Sequence, residues 1–157
     1  MGFTMPAVPA IVAIGCAGLG LLLQIVGVAT DEWSLIDAIF VTVKIGLWTW
    51  CSDAGVTCGD TPHYLLACRA FGIIGVLLLA GCALLGVLMC FRDHAQTKFS
   101  LVAGVCGFAA GLSICVEFAV YADQSPWTTY GNSFYLTIVA CVLAVVAGVC
   151  YILSTRT

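Results

Sequence analysis

The residues of this sequence most suited to chemistry are two cysteines in a polar segment, Cys51 and Cys58. They stand in the stretch "KIGLWTWCSDAGVTCGD", where six residues rich in turn formers separate them. A C-x6-C spacing suits a disulfide across a strand-turn-strand, whereas zinc sites use C-x2-4-C pairs with further ligands. His63 is the other possible ligand nearby, and we interpret it as a loop histidine. We therefore expect a Cys51–Cys58 disulfide, with no metal and no other cofactor.

Long apolar blocks must position this polar segment. The chain has 157 residues, of which 62% are hydrophobic and 8% charged, whereas soluble domains carry about 25% charged residues. Crossing about 30 Å of hydrocarbon takes about 20 helical residues. The fold class predicted is a membrane all-α four-helix bundle with a small extracellular antiparallel β-sheet. We expect one domain over 1–157, with spans at about 8–30, 70–90, 100–121 and 134–153.

The sequence disfavours a cleaved signal peptide at residues 8–30 and a role in binding nucleic acid. The first apolar block has no Lys or Arg before it and is longer than the core of a signal peptide, so we expect a retained span. Five Lys and Arg residues in the whole chain do not suit nucleic acid, which requires clustered basic residues. Because the apolar blocks are long enough to span a membrane, the partner expected for them is the lipid bilayer.

The distribution of cations predicts the orientation. Four spans leave three loops, at 31–69, 91–99 and 122–133. Arg92, Lys98 and Arg156 lie in the short middle loop and the tail, whereas the long first loop carries only Lys44 and Arg69. Loops dense in Lys and Arg stay in the cytoplasm. We expect a plasma membrane protein with both termini and loop 91–99 cytoplasmic, and with loops 31–69 and 122–133 extracellular.

Glu117 is the one charged residue inside a predicted span. A carboxylate at mid-membrane costs about 2.5–3.5 kcal/mol and often marks function. It lies about one turn from Tyr121, and Arg69 starts the second span at a similar depth. We expect Glu117 to face the bundle and form a buried ion pair with Arg69, or to bond a polar group such as Gln24.

Nothing in the sequence predicts an enzyme or a small-molecule substrate. His63 and His94 are predicted on opposite sides of the membrane, no carboxylate pair is present in a pocket-like context, and no glycine-rich phosphate loop occurs. Cys90 and Cys150 lie near the cytosolic interface, where acylation is an alternative to plain packing. A lone Glu117 does not make a proton relay.

The first loop also reads as a sheet. The run 38–45, "AIFVTVKI", is rich in β-branched residues. Residues 48–50 alternate large aromatic side chains with a small polar one, and Gly46 is expected to form a bend between these two runs. An exposed strand edge above a bilayer can pair with another chain. Trp33 and Trp48 are expected to pack the sheet onto the helix ends. The residues expected to contact a partner are Trp50, Asp53, Asp60, Trp127 and Tyr130.

Small residues recur every four positions in the last two spans. Helices in lipid need close backbone contact to associate, and such stripes provide it. We expect packing within the monomer, with homodimerisation as the alternative. The residues are Ala103, Gly107, Gly111, Ala140, Ala144 and Gly148.

The order of these residues resembles a known signature. Trp33, then "GLW" at Gly46, Leu47 and Trp48, then Cys51 and Cys58, and then Arg69 in "ACRAFGII" are similar to the W-GLW-C-C pattern of the claudin and peripheral myelin protein/epithelial membrane protein superfamily. The fourth span, "YGNSFYLTIVACVLAVVAGVCYIL", resembles that of the peripheral myelin and epithelial membrane proteins in particular. The resemblance covers nearly the entire chain.

Some features depart from the family pattern. The tail reads "STRT" without a terminal Tyr-Val, and Asn132 makes no N-x-S/T sequon. We therefore expect a short member near the peripheral myelin/epithelial membrane branch, or an invertebrate claudin-like protein.

Three functions follow from the resemblance. The leading one is a non-enzymatic protein of cell-cell contact or membrane organisation, acting through its sheet and through lateral helix contacts. Its partners would be other membrane proteins in cis or trans, including itself. The alternatives are an auxiliary subunit of an ion channel or receptor, and a claudin-type paracellular barrier or pore.

Overall fold

The computed structural model describes residues 8–38, 41–48, 50–52, 62–91, 96–125 and 129–156. For residues 37, 38, 41, 42, 50–52 and 96 it describes the backbone alone.

Within these ranges the chain forms four helices, each long and apolar enough to cross a bilayer. An 18-residue window in each has a mean hydropathy of at least 2.1. The shortest helix has 22 residues, which extend about 33 Å at 1.5 Å per residue and exceed the hydrocarbon thickness of about 30 Å. The helices are α1 Val8–Ala29, α2 His63–Met89, α3 Gln96–Gln124 and α4 Asn132–Ser154.

Two of the helices begin four or more residues earlier than the apolar blocks. Helix α2 starts at His63 rather than at residue 70, and α3 starts at Gln96 rather than at residue 100. Helical hydrogen bonding continues beyond the charged Arg69 in α2 and through the polar residues 96–98 in α3, so hydropathy marks only the lipid-embedded part of a helix.

The helices form a ring in which α1 packs on α2 and α4, and α3 packs on α2 and α4. The contact between α1 and α2 is the sparsest of the four. Small side chains such as Ala13 and Ala17 are fully buried between helices, whereas Leu22, Leu77 and Leu112 are 62%, 66% and 68% exposed. Such an apolar outer surface fits a lipid environment.

A three-stranded antiparallel sheet lies between α1 and α2, with strands β1 Ser34–Ala38, β2 Val41–Ile45 and β3 Trp50–Ser52 in the order β1-β2-β3. Ser34 is opposite Ile45, and Ile45 is opposite Trp50. The bundle and the small antiparallel sheet confirm the predicted fold class. The sheet-forming run 38–45 is shared between two strands, since β1 ends at Ala38 and β2 starts at Val41.

Candidate functional site: the sheet and its anchorage on the bundle

The last carbonyl groups of α1 accept hydrogen bonds from two tryptophans. An α-helix leaves its last four carbonyls without N–H partners. Trp33 donates its Nε1–H to the Gly27 carbonyl at 2.8 Å, and Trp48 donates its Nε1–H to the Val28 carbonyl at 2.7 Å. Trp33 precedes β1 and Trp48 follows β2. Both ends of this hairpin are thus bonded to one helix end, where unpaired carbonyls near hydrocarbon would be costly.

Arg69 of α2 holds the turn that follows β2. Its Nε donates to the carbonyl of Leu47 at 2.6 Å, and Leu47 itself is fully buried. The guanidinium carbon of Arg69 lies 5.2 Å from the centroid of the Trp48 ring, a distance that gives a cation–π attraction. We call Leu47, Trp48 and Arg69 the clamp, since they join the hairpin to α1 and α2.

Two glycines allow the chain to pass close to itself at this junction. A Cβ on Gly46 would meet Asp31, with only 2.5 Å to its Cα. A Cβ on Gly131 would overlap the carbonyl oxygen of Glu32 and lie 2.7 Å from its carbonyl carbon. Both contacts are with backbone atoms, which cannot move aside as a flexible side chain can. Each site therefore requires glycine for steric reasons.

The segment before α4 covers one edge of the sheet. The Leu35 amide donates to the Thr129 carbonyl at 3.2 Å, and the Gly131 amide donates to the Trp33 carbonyl at 2.9 Å. Between them, Ser34 and Tyr130 form an antiparallel bridge. The free hydrogen-bonding groups of a strand edge invite pairing with other chains. At β1, this segment of the same chain occupies part of that edge.

An aromatic cluster lies beneath the hairpin. The rings of Trp33 and Tyr121 have centroids 4.9 Å apart, and Trp33 and Phe134 lie 6.0 Å apart. Tyr130 stacks on Phe134 at 4.3 Å with 16° between the ring planes. The Tyr121 hydroxyl donates to Ser34 Oγ at 2.9 Å, which satisfies a polar group that is otherwise buried. The sheet therefore shares one core with α3 and α4.

Tyr130 was predicted to contact a partner. One face of its ring is stacked on Phe134 and is not available to another protein. Phe134 was not predicted as a site residue, and Tyr121 was not assigned to this cluster. The sequence feature that could have predicted the cluster is the presence of aromatic residues at the ends of two apolar blocks, where they meet the membrane surface.

Glu117 bonds Gln24 and not Arg69, so the predicted ion pair is wrong. Gln24 Nε2 donates to Glu117 Oε2 at 2.6 Å, and both side chains are fully buried. Gln24 Oε1 and Glu117 Oε1 have no hydrogen-bond partner within the described residues. Gln24, which was predicted as the alternative partner, is thus the residue that the Glu117 carboxyl group contacts.

Helix geometry explains why Arg69 does not reach Glu117. Cys68 and Gly72 face α3: the Cys68 thiol lies 3.5 Å from the Glu117 carbonyl oxygen, and a Cβ on Gly72 would lie 2.5 Å from Glu117 Oε1. Each residue turns about 100° around the axis, so Arg69 points away from α3 toward Leu47 and Trp48. Equal depth in the bilayer does not put two side chains on facing sides.

The small-residue stripes lie at helix contacts. A Cβ on Gly107 would lie 3.0 Å from Gly148 Cα and 3.1 Å from the Ala144 carbonyl oxygen. A Cβ on Gly111 would lie 2.8 Å from a methyl carbon of Val145, so α3 and α4 approach each other along this line. The stripe alanines are all fully buried: Ala103, Ala140 and Ala144. These positions are used inside the monomer, as close helix packing in lipid requires.

Several predicted site residues lie outside the described side chains. Cys51 has its backbone in β3, opposite Lys44, but its side chain and all of Cys58 are outside. The same holds for the Trp50 side chain and for Asp53, Asp60 and Trp127. Within the described residues, no group of three or more His, Cys, Asp or Glu side chains could hold a metal ion.

Comparison with known proteins found relatives that are similar over most of the chain. No family model matches the sequence. The chain is 28% identical to the lens fiber membrane intrinsic protein of Rattus norvegicus over 155 residues, which cover 90% of the chain and 88% of that protein. It is 29% identical to the Homo sapiens protein of the same name over 159 residues, with the same coverage of each.

A second relative has a different name. The chain is 29% identical to protein NKG7 of Mus musculus over 145 residues, which cover 87% of the chain and 85% of that protein. The alignments cover 87–90% of this chain and 85–88% of each relative. The chain is therefore a multi-pass membrane protein similar over most of its length to the lens fiber membrane intrinsic protein and to NKG7, which confirms the resemblance to the claudin and peripheral myelin protein superfamily.

Proposed function

We propose that this chain is a non-enzymatic protein of cell-cell contact or membrane organisation, and that its sheet is the surface that meets partners. The observation that carries the proposal is the anchorage of the sheet. Trp33, Trp48 and Arg69 bond the hairpin to two helices at distances of 2.6–2.8 Å. A binding surface held rigidly before contact loses little conformational entropy on binding. Anchorage of this kind supports a recognition role better than a role as a plain connecting loop.

Strand β3 is the edge proposed to pair with a partner. Within the described residues β3 is the outer strand in the order β1-β2-β3, and the opposite edge is partly covered by the segment before α4. An added strand bonds through its backbone, while neighbouring side chains supply specificity. The neighbouring side chains proposed to contact the partner are Trp50, Asp53, Asp60 and Trp127.

The orientation proposed places the sheet outside the cell at the plasma membrane, with both termini in the cytoplasm. Lys98 and Arg156 lie at the end of the bundle opposite the sheet, and Arg92 belongs to the same short sequence interval as Lys98. Such concentrations of basic residues stay in the cytoplasm. An oxidising exterior would allow Cys51 and Cys58 to form the proposed disulfide. That bond would close the turn after β3.

Cell aggregation tests this function. Cells that lack the protein would be transfected with an epitope-tagged chain, and aggregation would be scored together with the amount of surface protein. We expect the wild-type chain to promote aggregation. The triple variant Trp50→Ala/Asp53→Ala/Asp60→Ala should reach the surface equally well but lose most of that effect.

The matched control is Lys44→Ala, an exposed position in the central strand, which should aggregate as the wild type does. Equal aggregation by the triple variant, or none by the wild type at normal surface levels, would contradict a contact function. A channel or receptor that co-purifies in stoichiometric amounts, without aggregation, would support the auxiliary-subunit alternative instead.

A further inference from the structure

An apolar groove opens between α1 and α2 directly beside the clamp. Its volume is about 400 Å³, within the range of about 300–1,000 Å³ that is common for ligand sites. Trp48 borders it at the sheet end. Its walls are apolar and include Ile25 and Ala29 of α1 with Ile73, Val76 and Leu77 of α2.

The groove exists because α1 and α2 have the sparsest contact of the four neighbouring pairs. The side chains on its rim are left open, with Ile25 and Ile73 both 44% exposed and Leu77 66% exposed. Because the groove lies between the apolar parts of α1 and α2, it opens into the lipid layer. Water is a poor occupant there, because apolar walls offer it no hydrogen bonds.

A cation stands at the head of the groove. This cation is Arg69, which lies on the same face of α2 as Ile73 and Leu77 because the three are spaced four residues apart. The Arg69 guanidinium lies over the Trp48 ring, and within the described residues no carboxylate lies within 4.0 Å of its nitrogens. From residue 69 to residue 77 the helix rises about 12 Å, close to the thickness of about 15 Å of one hydrocarbon leaflet.

We propose that this groove binds one phospholipid of the leaflet next to the sheet. One acyl chain lies between α1 and α2 alongside Ile73 and Val76. The phosphate group pairs with the guanidinium of Arg69, whose planar fork suits phosphate oxygens. An apolar slot below the Arg69 guanidinium matches the two ends of such a lipid in chemistry and in length. The lipid would also brace Trp48 and therefore the sheet.

Native mass spectrometry of the purified full chain tests the proposal. The protein in mild detergent would be offered phosphatidylcholine and, separately, a monoacylglycerol with the same acyl chain and no phosphate. We expect one phosphatidylcholine to be retained per chain. The monoacylglycerol should be retained at least about tenfold less, because it lacks a charge-assisted hydrogen bond.

A variant that fills the groove gives the second arm. Val76→Phe should reduce retention of phosphatidylcholine at least about tenfold, since the displaced chain loses several buried CH₂ groups. The matched control is Val142→Phe, at a lipid-facing position of α4 that is 57% exposed, and it should retain the lipid as the wild type does.

Three results would overturn the proposal. Equal retention of both lipids by the wild type would remove the role of Arg69, and this comparison needs no variant to fold. Equal loss of lipid in both phenylalanine variants would show general lipid adhesion. Displacement of phosphatidylcholine by a sterol, or by a second copy of the chain, would assign the groove to a different occupant.

Discussion

Replacing Trp33 by phenylalanine should destabilise the fold by about 2–4 kcal/mol. The buried carbonyl of Gly27 accepts its hydrogen bond from Trp33 Nε1 at 2.8 Å, and leaving such a group unpaired costs about 1–3 kcal/mol. Trp33 has no exposed surface, so the smaller ring also leaves a void, which costs about 1 kcal/mol. The aromatic contacts with Tyr121 and Phe134 remain possible, so the loss is a partial one.

Trp48→Phe is the matched comparison. Trp48 makes the equivalent bond to Val28, but its side chain is 43% exposed and the carbonyl can find a replacement partner at the membrane surface. We expect a loss of about 0.5–1.5 kcal/mol, the net value of an ordinary hydrogen bond. Reversible unfolding in mixed micelles would give both free energies of unfolding. A Trp33→Phe protein as stable as the wild type, or less affected than Trp48→Phe, would refute the capping argument.

Two further outcomes follow from close contacts in the bundle. Gly131→Ala should reduce folded protein strongly because its Cβ overlaps the Glu32 carbonyl, whereas Gly81→Ala, with nothing within 4 Å of its Cβ, should not; thermal unfolding of both variants checks this. Gln24→Leu should cost about 1–3 kcal/mol because it leaves buried Glu117 without its hydrogen-bond partner. Adding Glu117→Leu should recover most of that loss in the same unfolding assay, and a purely additive double variant would argue against the pairing.

The fold could be predicted well because its main signal is local. A run of about 20 apolar residues identifies each span by itself, and β-branched residues identify the strand that became β2. The division of 38–45 into parts of two strands was missed, because β-propensity does not show where a hairpin turns. The starts of two helices were also missed, since α2 continues beyond the charged Arg69 and α3 includes the polar residues 96–98.

The anchorage could be predicted only in outline. The resemblance to the W-GLW-C-C pattern groups Trp33, Trp48 and Arg69 together, but it does not show which carbonyls they bond. The pairing of Ser34 with Tyr130 joins positions far apart in the chain, and no local pattern encodes it. The error at Glu117 arose from comparing depth along the helices without the rotation of about 100° per residue.

The most direct test of this account is the accessibility of Cys51 and Cys58 in intact cells. A membrane-impermeant maleimide that adds mass would be applied before and after an impermeant reductant, with Cys51→Ser/Cys58→Ser as the control. The account predicts that external reduction exposes two additional reactive thiols, and that the double variant gains none. Thiols that react without reduction, or only after the cells are permeabilised, would contradict a disulfide-closed sheet on the outer face.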